Sequence, residues 1–302
     1  MHAHVSSQRA LAAVLALNLV MFIVEVIAGW WTNSLALWSD AGHMLGDVGA
    51  IALSFAAARL AARPPSPEKT WGWHRSEILA ALANGVALIV VAALVAFEAA
   101  RRFAAPPAVP GEIVAVVGAI GLAVNIVSAI ILARGAAQDL NRRGAYLHAL
   151  SDALGSVGAL VAGVVIVRFG WWAADPIASI LIALLVFFAG VRLLRDTVHV
   201  LMEGAPASVQ VERLRDAMLR AEGVKAVHDL HVWSVTSRFA VLSAHVVTEP
   251  GASLAEAQTV TARLRKLLAR EFAIEHATLQ LEPDEPACEP CDVPLPEKSE
   301  IA

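Results

Sequence analysis

His43-Met-Leu-Gly-Asp47 and His148-Ala-Leu-Ser-Asp152 repeat one piece of chemistry inside two apolar stretches of the chain. Each sets an imidazole and a carboxylate four residues apart, which on a helix places them on one face, one turn from each other. Ionisable groups at the depth of a bilayer-spanning helix are costly and mark function. Two such helices face to face bring together two nitrogens and two oxygens, a tetrahedral set suited to zinc. His43, Asp47, His148 and Asp152 are therefore the expected metal site of the membrane.

The 302 residues are 58% hydrophobic and only 17% charged, with a mean hydropathy of +0.63. A soluble chain of this length carries about a quarter charged residues. The apolar surplus is unevenly distributed, as in an integral membrane protein with a soluble appendage. A net charge of −4 gives no reason to expect nucleic acid as a partner. Cys288 and Cys291 are too close for a disulfide framework and suit a metal site or a redox pair in a reducing compartment. The N-terminal MHAHVSSQRA leads into a long apolar run without a small-residue cleavage pattern, so it reads as a retained first span.

Runs able to cross a hydrocarbon core of ~30 Å cover 10–31, 35–58, 78–102, 113–134, 145–168 and 172–194. Turn-like breaks separate them, among them Thr32-Asn33-Ser34 and Arg63-Pro-Pro-Ser-Pro67. Six spans follow. With the N-terminus cytoplasmic, Arg9, Arg59, Arg63, Lys69, Arg75, Arg134, Arg142, Arg143, Arg192 and Arg195 fall inside, and Arg101, Arg102 and Arg168 outside. That bias sets the orientation, and an even number of spans returns the C-terminus to the cytoplasm.

From residue 205 the composition changes. Val209–Glu222 has helical periodicity, Val224–Val235 and Phe239–Glu249 read as strands, Leu254–Phe272 as an amphipathic helix and His276–Glu282 as a last strand. That order suits a small open α+β sandwich. The expected division is a six-span domain over 1–204, a cytoplasmic domain over 205–285 and an acidic tail over 286–302. A domain of roughly 80 residues gains stability from a partner.

The membrane quartet points to exchange. Two carboxylates cancel the charge of a divalent ion and make the loaded site tolerable in low dielectric. Emptied, they repel each other and take up protons, so metal and protons compete for the same ligands. A site of this kind open to each side in turn is an antiporter. Gly42, Gly46 and Gly49 on the second span, with Ser151, Gly155 and Gly158 on the fifth, are expected to let the two helices approach. Asp40, one turn before His43, serves either as a carboxylate at the mouth or as a helix cap with Ser39. Asn18, Glu25, Glu77, Asn84 and Asn125 line a water path or join helices by hydrogen bonds, and none is given a ligand role.

In the soluble domain, strand alternation puts His245 of the second strand and His276 and Glu282 of the last on one polar sheet face. In the first strand Asp229 and His231 share one parity and His228 the other. Which of the two faces the polar side stays open; with Leu230 and Val232 read as core, His228 would turn inward near the strand start.

These stretches resemble the cation diffusion facilitator family of metal-ion transporters, in particular its zinc-transporting branch. Asn33-Ser-Leu-Ala-Leu-Trp-Ser-Asp-Ala-Gly-His-Met-Leu-Gly-Asp47 is similar to that family's second-span motif, and Gly72-Trp-His-Arg-Ser-Glu77 to its loop entering the third span. His148-Ala-Leu-Ser-Asp152 is similar to the fifth-span motif. His228-Asp-Leu-His-Val-Trp233 and Leu242-Ser-Ala-His245 are similar to the cytoplasmic domain. The resemblance implies a homodimer of six-span protomers with ferredoxin-like cytoplasmic domains, exporting zinc from a bacterial inner membrane in exchange for protons. It makes His43, Asp47, His148 and Asp152 the transport site, and His228 a cytoplasmic ligand beside His231, His245, His276 and Glu282. His at the first position resembles the zinc-selective members and not the manganese ones. Cys288-Glu-Pro-Cys291 resembles the C-terminal cysteine pair of some animal zinc transporters, a site that His2 and His4 would complete. In the loop before the third span only Glu68 and His74 are available, and His74 is assigned a transient metal contact.

The same ligands accept cadmium, cobalt or nickel, which leaves efflux of those ions as the alternative cargo and a membrane metal sensor as the alternative role. An intramembrane metalloprotease would carry His-Glu-x-x-His, and the chain has none.

Overall fold

Six long helices occupy the first two thirds of the chain in the computed structural model: α1 (His2–Thr32), α2 (Leu35–Ala61), α3 (Ser76–Ala104), α4 (Gly111–Ala136), α5 (Leu140–Phe169) and α6 (Ala174–Leu201). Residues 2–136, 140–236 and 239–282 are described, without the side chains of 2–12, 50, 51, 54, 134–136, 140–145, 147 and 148. Among the described residues, α1, α3, α4, α5 and α6 each contain a stretch long and apolar enough to cross a membrane. α2 carries Asp40, His43, Asp47 and Arg59 within its apolar run.

The chain divides into two compact units, one formed by residues up to Ala56 together with Ala80–Leu194, the other by Ala57–Leu79 together with the chain from Arg195. The division thus assigns the α2–α3 connection to the C-terminal unit. In the first unit α4 and α5 lie closest, because glycines remove the side chains between them. A Cβ at Gly118 would meet the Leu160 backbone nitrogen at 2.6 Å, and one at Gly163 would collide with the backbone of Ala115. Small residues let membrane helices touch in this way. Gly42 and Gly46 face Val91 and Leu88 of α3, Gly158 faces Ile182 of α6, and among these glycines Gly155 serves the expected α2–α5 approach. The apolar core joins Met21 and Ala28 of α1, Ala36 and Leu37 of α2, Val114 and Val117 of α4, and Ala159, Ala162 and Ile166 of α5. Outward-facing Leu, Val and Ile side chains are abundant, as a lipid-facing surface requires. Trp30 and Trp31 end α1, and Phe169, Trp171 and Trp172 surround the α5–α6 turn, all exposed. They match an interfacial aromatic belt.

The α1–α2 turn and the start of α2 are held by two other helices. Asn33 takes a left-handed backbone (φ 54°), and Arg102 of α3 donates to its carbonyl at 2.7 Å and to its side-chain oxygen at 3.1 Å. Asp175 of α6, fully buried, accepts from Ser34 Oγ and from the backbone N–H groups of Leu35 and Ala36. It supplies the acceptors that the first turn of α2 lacks. The cap is therefore Asp175, and Asp40, one turn inside the helix, does not perform it.

In the second unit, α7 (Val211–Leu219), β1 (Val224–Thr236), β2 (Phe239–Thr248), α8 (Leu254–Phe272) and β3 (His276–Glu282) follow in order. β1 pairs antiparallel with β2, and β2 parallel with β3. Leu214 and Met218 of α7 and Val260, Leu264 and Leu268 of α8 cover Val227, Val232, Leu242, Ala244, Val246 and Ala277. This is the expected α+β sandwich. α8 opens on a capping box between Ser253 and Glu256. α7 is shorter than its periodicity suggests, because Gly223 (φ 89°) turns the chain into β1.

Candidate metal sites and family

Within the first unit, α2 presents His43 and Asp47 and α5 presents Asp152. His43 Nε2 lies 3.2 Å from Asp152 Oδ1 and 3.9 Å from Asp47 Oδ2. One ligand atom from each residue falls within 4.8 Å of the other two. Asp152 is buried, and His43 and Asp47 are partly so. The set holds one nitrogen and two oxygens, and the two carboxylates match the charge of a divalent ion. His148 lies on α5 one turn before Asp152; its side chain is outside the described residues.

A second buried polar layer adjoins this set. Asn125 of α4 donates to Ser156 Oγ at 3.2 Å, and Ser156 Oγ to Asp40 Oδ2 at 3.4 Å. Gly155 makes room for Asp40, whose Oδ1 lies 2.6 Å from where a Cβ would be. Gly121 does the same for Glu25 Oε1, at 3.2 Å. Asn125 thus joins helices, as expected, whereas Glu25 Oε2 is buried with no hydrogen-bond partner.

The C-terminal unit gathers His228, His245 and Glu282, again with ligand atoms within 4.8 Å. His228 Nε2 is 2.9 Å from Glu282 Oε2, and His245 Nδ1 is 3.0 Å from Glu282 Oε1. That contact lacks hydrogen-bond geometry, and His245 Nδ1 is buried without a partner. Two imidazoles and a carboxylate fit zinc, and the unsatisfied nitrogen fits a ligand position.

Two expectations change here. Asp229 adopts a left-handed backbone (φ 48°) inside a bulge between His228 and His231. Val227 before the bulge and Val232 after it both enter the core, so the bulge resets the alternation. His228 accordingly faces its partners and not the core. His231 pairs with Asp229 at 2.9 Å, and Asp229 Oδ2 lies 3.6 Å from His245 Nε2, which makes Asp229 a neighbour of the triad that alternation did not single out. His276 does not join the triad. It pairs in register with Val241, while His245 pairs with Gln280, roughly 13 Å along the strand. Its ring packs edge-on against Trp71, with Phe239 beyond. His74 likewise lies against Phe239 and enters no metal cluster among the described residues. His2 and His4, as side chains, and Cys288 and Cys291 lie outside the described residues.

A polytopic helical membrane protein with a buried His/Asp cluster and a metal-binding type of α+β domain is the class these features define. The cation efflux transmembrane domain matches residues 11–202, and the cytoplasmic domain of cation efflux proteins matches 206–284. The chain belongs to the cation efflux family. It is 41% identical over 93% of its length to 90% of a cadmium, cobalt and zinc/H(+)-K(+) antiporter of Bacillus velezensis. It is 40% identical, over 91% of its length and 87% of theirs, to the metal cation efflux system protein CzcD of Cupriavidus metallidurans. With the zinc transporter ZitB of Escherichia coli it shares 39% identity over 93% of its own length and 91% of that protein. The solved metal-bound C-terminal domain of CzcD from Cupriavidus metallidurans is 36% identical over 24% of this chain and 99% of that one, at a TM-score of 0.23.

Proposed function

We propose that this protein exports zinc from the cytoplasm in exchange for protons, through His43, Asp47, His148 and Asp152. The observation that carries the reading is the convergence of His43, Asp47 and Asp152 from two helices at 4.8 Å or less. A metal ion there is neutralised by Asp47 and Asp152 and oriented by the imidazole. Its departure leaves two acids facing each other in low dielectric, and protons replace it. Efflux relatives named for zinc, cadmium and cobalt, one of them an H(+)-K(+) antiporter, support cargo and coupling alike, and cadmium and cobalt are further candidate cargo.

The protein works as a homodimer in lipid of a bacterial inner membrane, with both termini cytoplasmic. The membrane domain spans 1–204, the cytoplasmic domain 205–285 and the tail 286–302. In the cytoplasmic domain His228, His245 and Glu282 bind regulatory zinc; His231 and Asp229 orient His245 from its other side.

Radiolabelled zinc uptake into inside-out vesicles tests the site. Asp47→Ala and Asp152→Ala each remove half of the neutralising charge and should reduce uptake to the protein-free rate while the purified proteins still fold. Uptake near the wild-type rate in either folded variant would remove the cluster from this role.

A further inference from the structure

Glu25 is a buried acid of the membrane unit that the exchange cycle above does not use, and its position is unusual. It lies on the α1 face that also buries Met21 and Ala28, one turn to either side. Its side chain is 2% exposed. Its Oε2 has no hydrogen-bond partner, and no ion pair to it is found among the described residues. A buried carboxylate left bare costs several kcal/mol, so a chain that keeps one at this depth has a use for it.

The surroundings specify that use. Gly121 of α4 leaves the space in which Glu25 Oε1 sits, and the same space borders Ser156 Oγ. Ser156 in turn donates to Asp40. The charged groups that act on Glu25 are Asp40 from α2 and Asp152 from α5; α4 brings Gly121 and Asn125, the latter hydrogen-bonded to the neutral Ser156 of α5. Glu25 is not in the cluster of ligand atoms formed by His43, Asp47 and Asp152. It is thus near enough to feel the charge of the transport site and too far to coordinate an ion there.

We propose that Glu25 is a proton-binding carboxyl of the exchange cycle, separate from the metal ligands. With a divalent ion on Asp152, the negative charge that faces Glu25 is cancelled and its carboxylate is tolerated. When the ion leaves, Asp152 and Asp40 both confront Glu25. A proton from solution then forms an O–H bond on its carboxylate, and the hydronium that supplied it becomes water. Arrival of the next ion reverses the step and returns that proton to solution. The coupling is electrostatic and needs no contact between Glu25 and the metal. Asn18 Oδ1, two turns away on the same face of α1, is a second buried oxygen without a partner, so the polar track continues along the helix.

This inference rests on the antiport reading, and one pair of measurements separates the two. Protons released on zinc binding are counted with a pH indicator in weakly buffered solutions of the full-length purified protein. Zinc flux is recorded against external pH in proteoliposomes. Glu25→Gln keeps the shape and removes the acid. It should bind zinc with the wild-type number of sites, release about one proton fewer per ion, and show a flattened pH profile. Glu25→Asp should restore the count. Gly121→Ala, which crowds Glu25 Oε1 and Ser156 Oγ, should shift the profile while leaving the acid in place. An unchanged proton count and pH profile in Glu25→Gln would overturn the assignment while leaving antiport standing. Equal loss in Glu25→Gln and Glu25→Asp would overturn it in favour of a packing role. Wild-type flux independent of pH, with no proton release, would overturn both readings.

Discussion

In the transport reading proposed above, His43 is the ligand on which metal preference turns. A nitrogen from His43 opposite the oxygens of Asp47 and Asp152 favours zinc and its neighbours, whereas an all-oxygen set favours harder ions. His43→Asp should therefore admit manganese, read as a rise in manganese flux relative to zinc in the same vesicles. An unchanged order of ions would place selectivity outside these ligands. The His-x-x-x-Asp spacing was enough to find this cluster, because helical periodicity fixes which residues share a face. The same logic failed at Asp229, since a strand has period two only while it is regular, and a bulge adds a residue that no pattern announces. It failed at His276 for a different reason. Parity gives the face of a sheet but not the position along it, and the register of β2 and β3 puts His276 beside Val241, against Trp71.

At the scale of the element, the start of α2 is held by two neighbouring helices. Its first turn is capped from α6 by Asp175, and the turn before it is pinned from α3 by Arg102. Asp175→Ala leaves two backbone N–H groups and Ser34 Oγ without their acceptor. A lost cap costs about 1–2 kcal/mol, so the melting temperature in detergent should fall measurably, and less in Asp175→Asn, which retains one acceptor oxygen. Equal melting of all three proteins would show that α2 is held by packing alone. Element boundaries were readable wherever composition changes sharply: α8 and β3 begin and end where periodicity puts them. The cap was not, because Asp175 and Leu35 are far apart in sequence and only tertiary structure brings them together. Nor were the partners of the glycines. The sequence shows small residues on a face but not which helix will use them, and Gly42 and Gly46 went to α3.

At the scale of the molecule, two units carry two clusters of the same chemistry, His43/Asp47/Asp152 in one and His228/His245/Glu282 in the other. The division into an apolar helical part and an α+β part follows from composition, since 58% hydrophobic residues concentrated in six runs cannot form a soluble core. Less legible was the place of the α2–α3 connection. It belongs with the C-terminal unit, where Arg75 pairs with Glu203 at 2.9 Å and Trp71 packs on Phe239 and His276. Aromatic contacts between segments so distant in sequence leave no local pattern. The account as a whole stands on the exchange of metal for protons at the cluster between α2 and α5. Zinc accumulation in proteoliposomes with an acidic lumen measures it directly, with the zinc gradient held constant while the pH gradient is imposed or dissipated. The account predicts accumulation that requires the pH gradient and disappears in Asp152→Ala. Undiminished accumulation after the gradient is dissipated, or in Asp152→Ala, would contradict it.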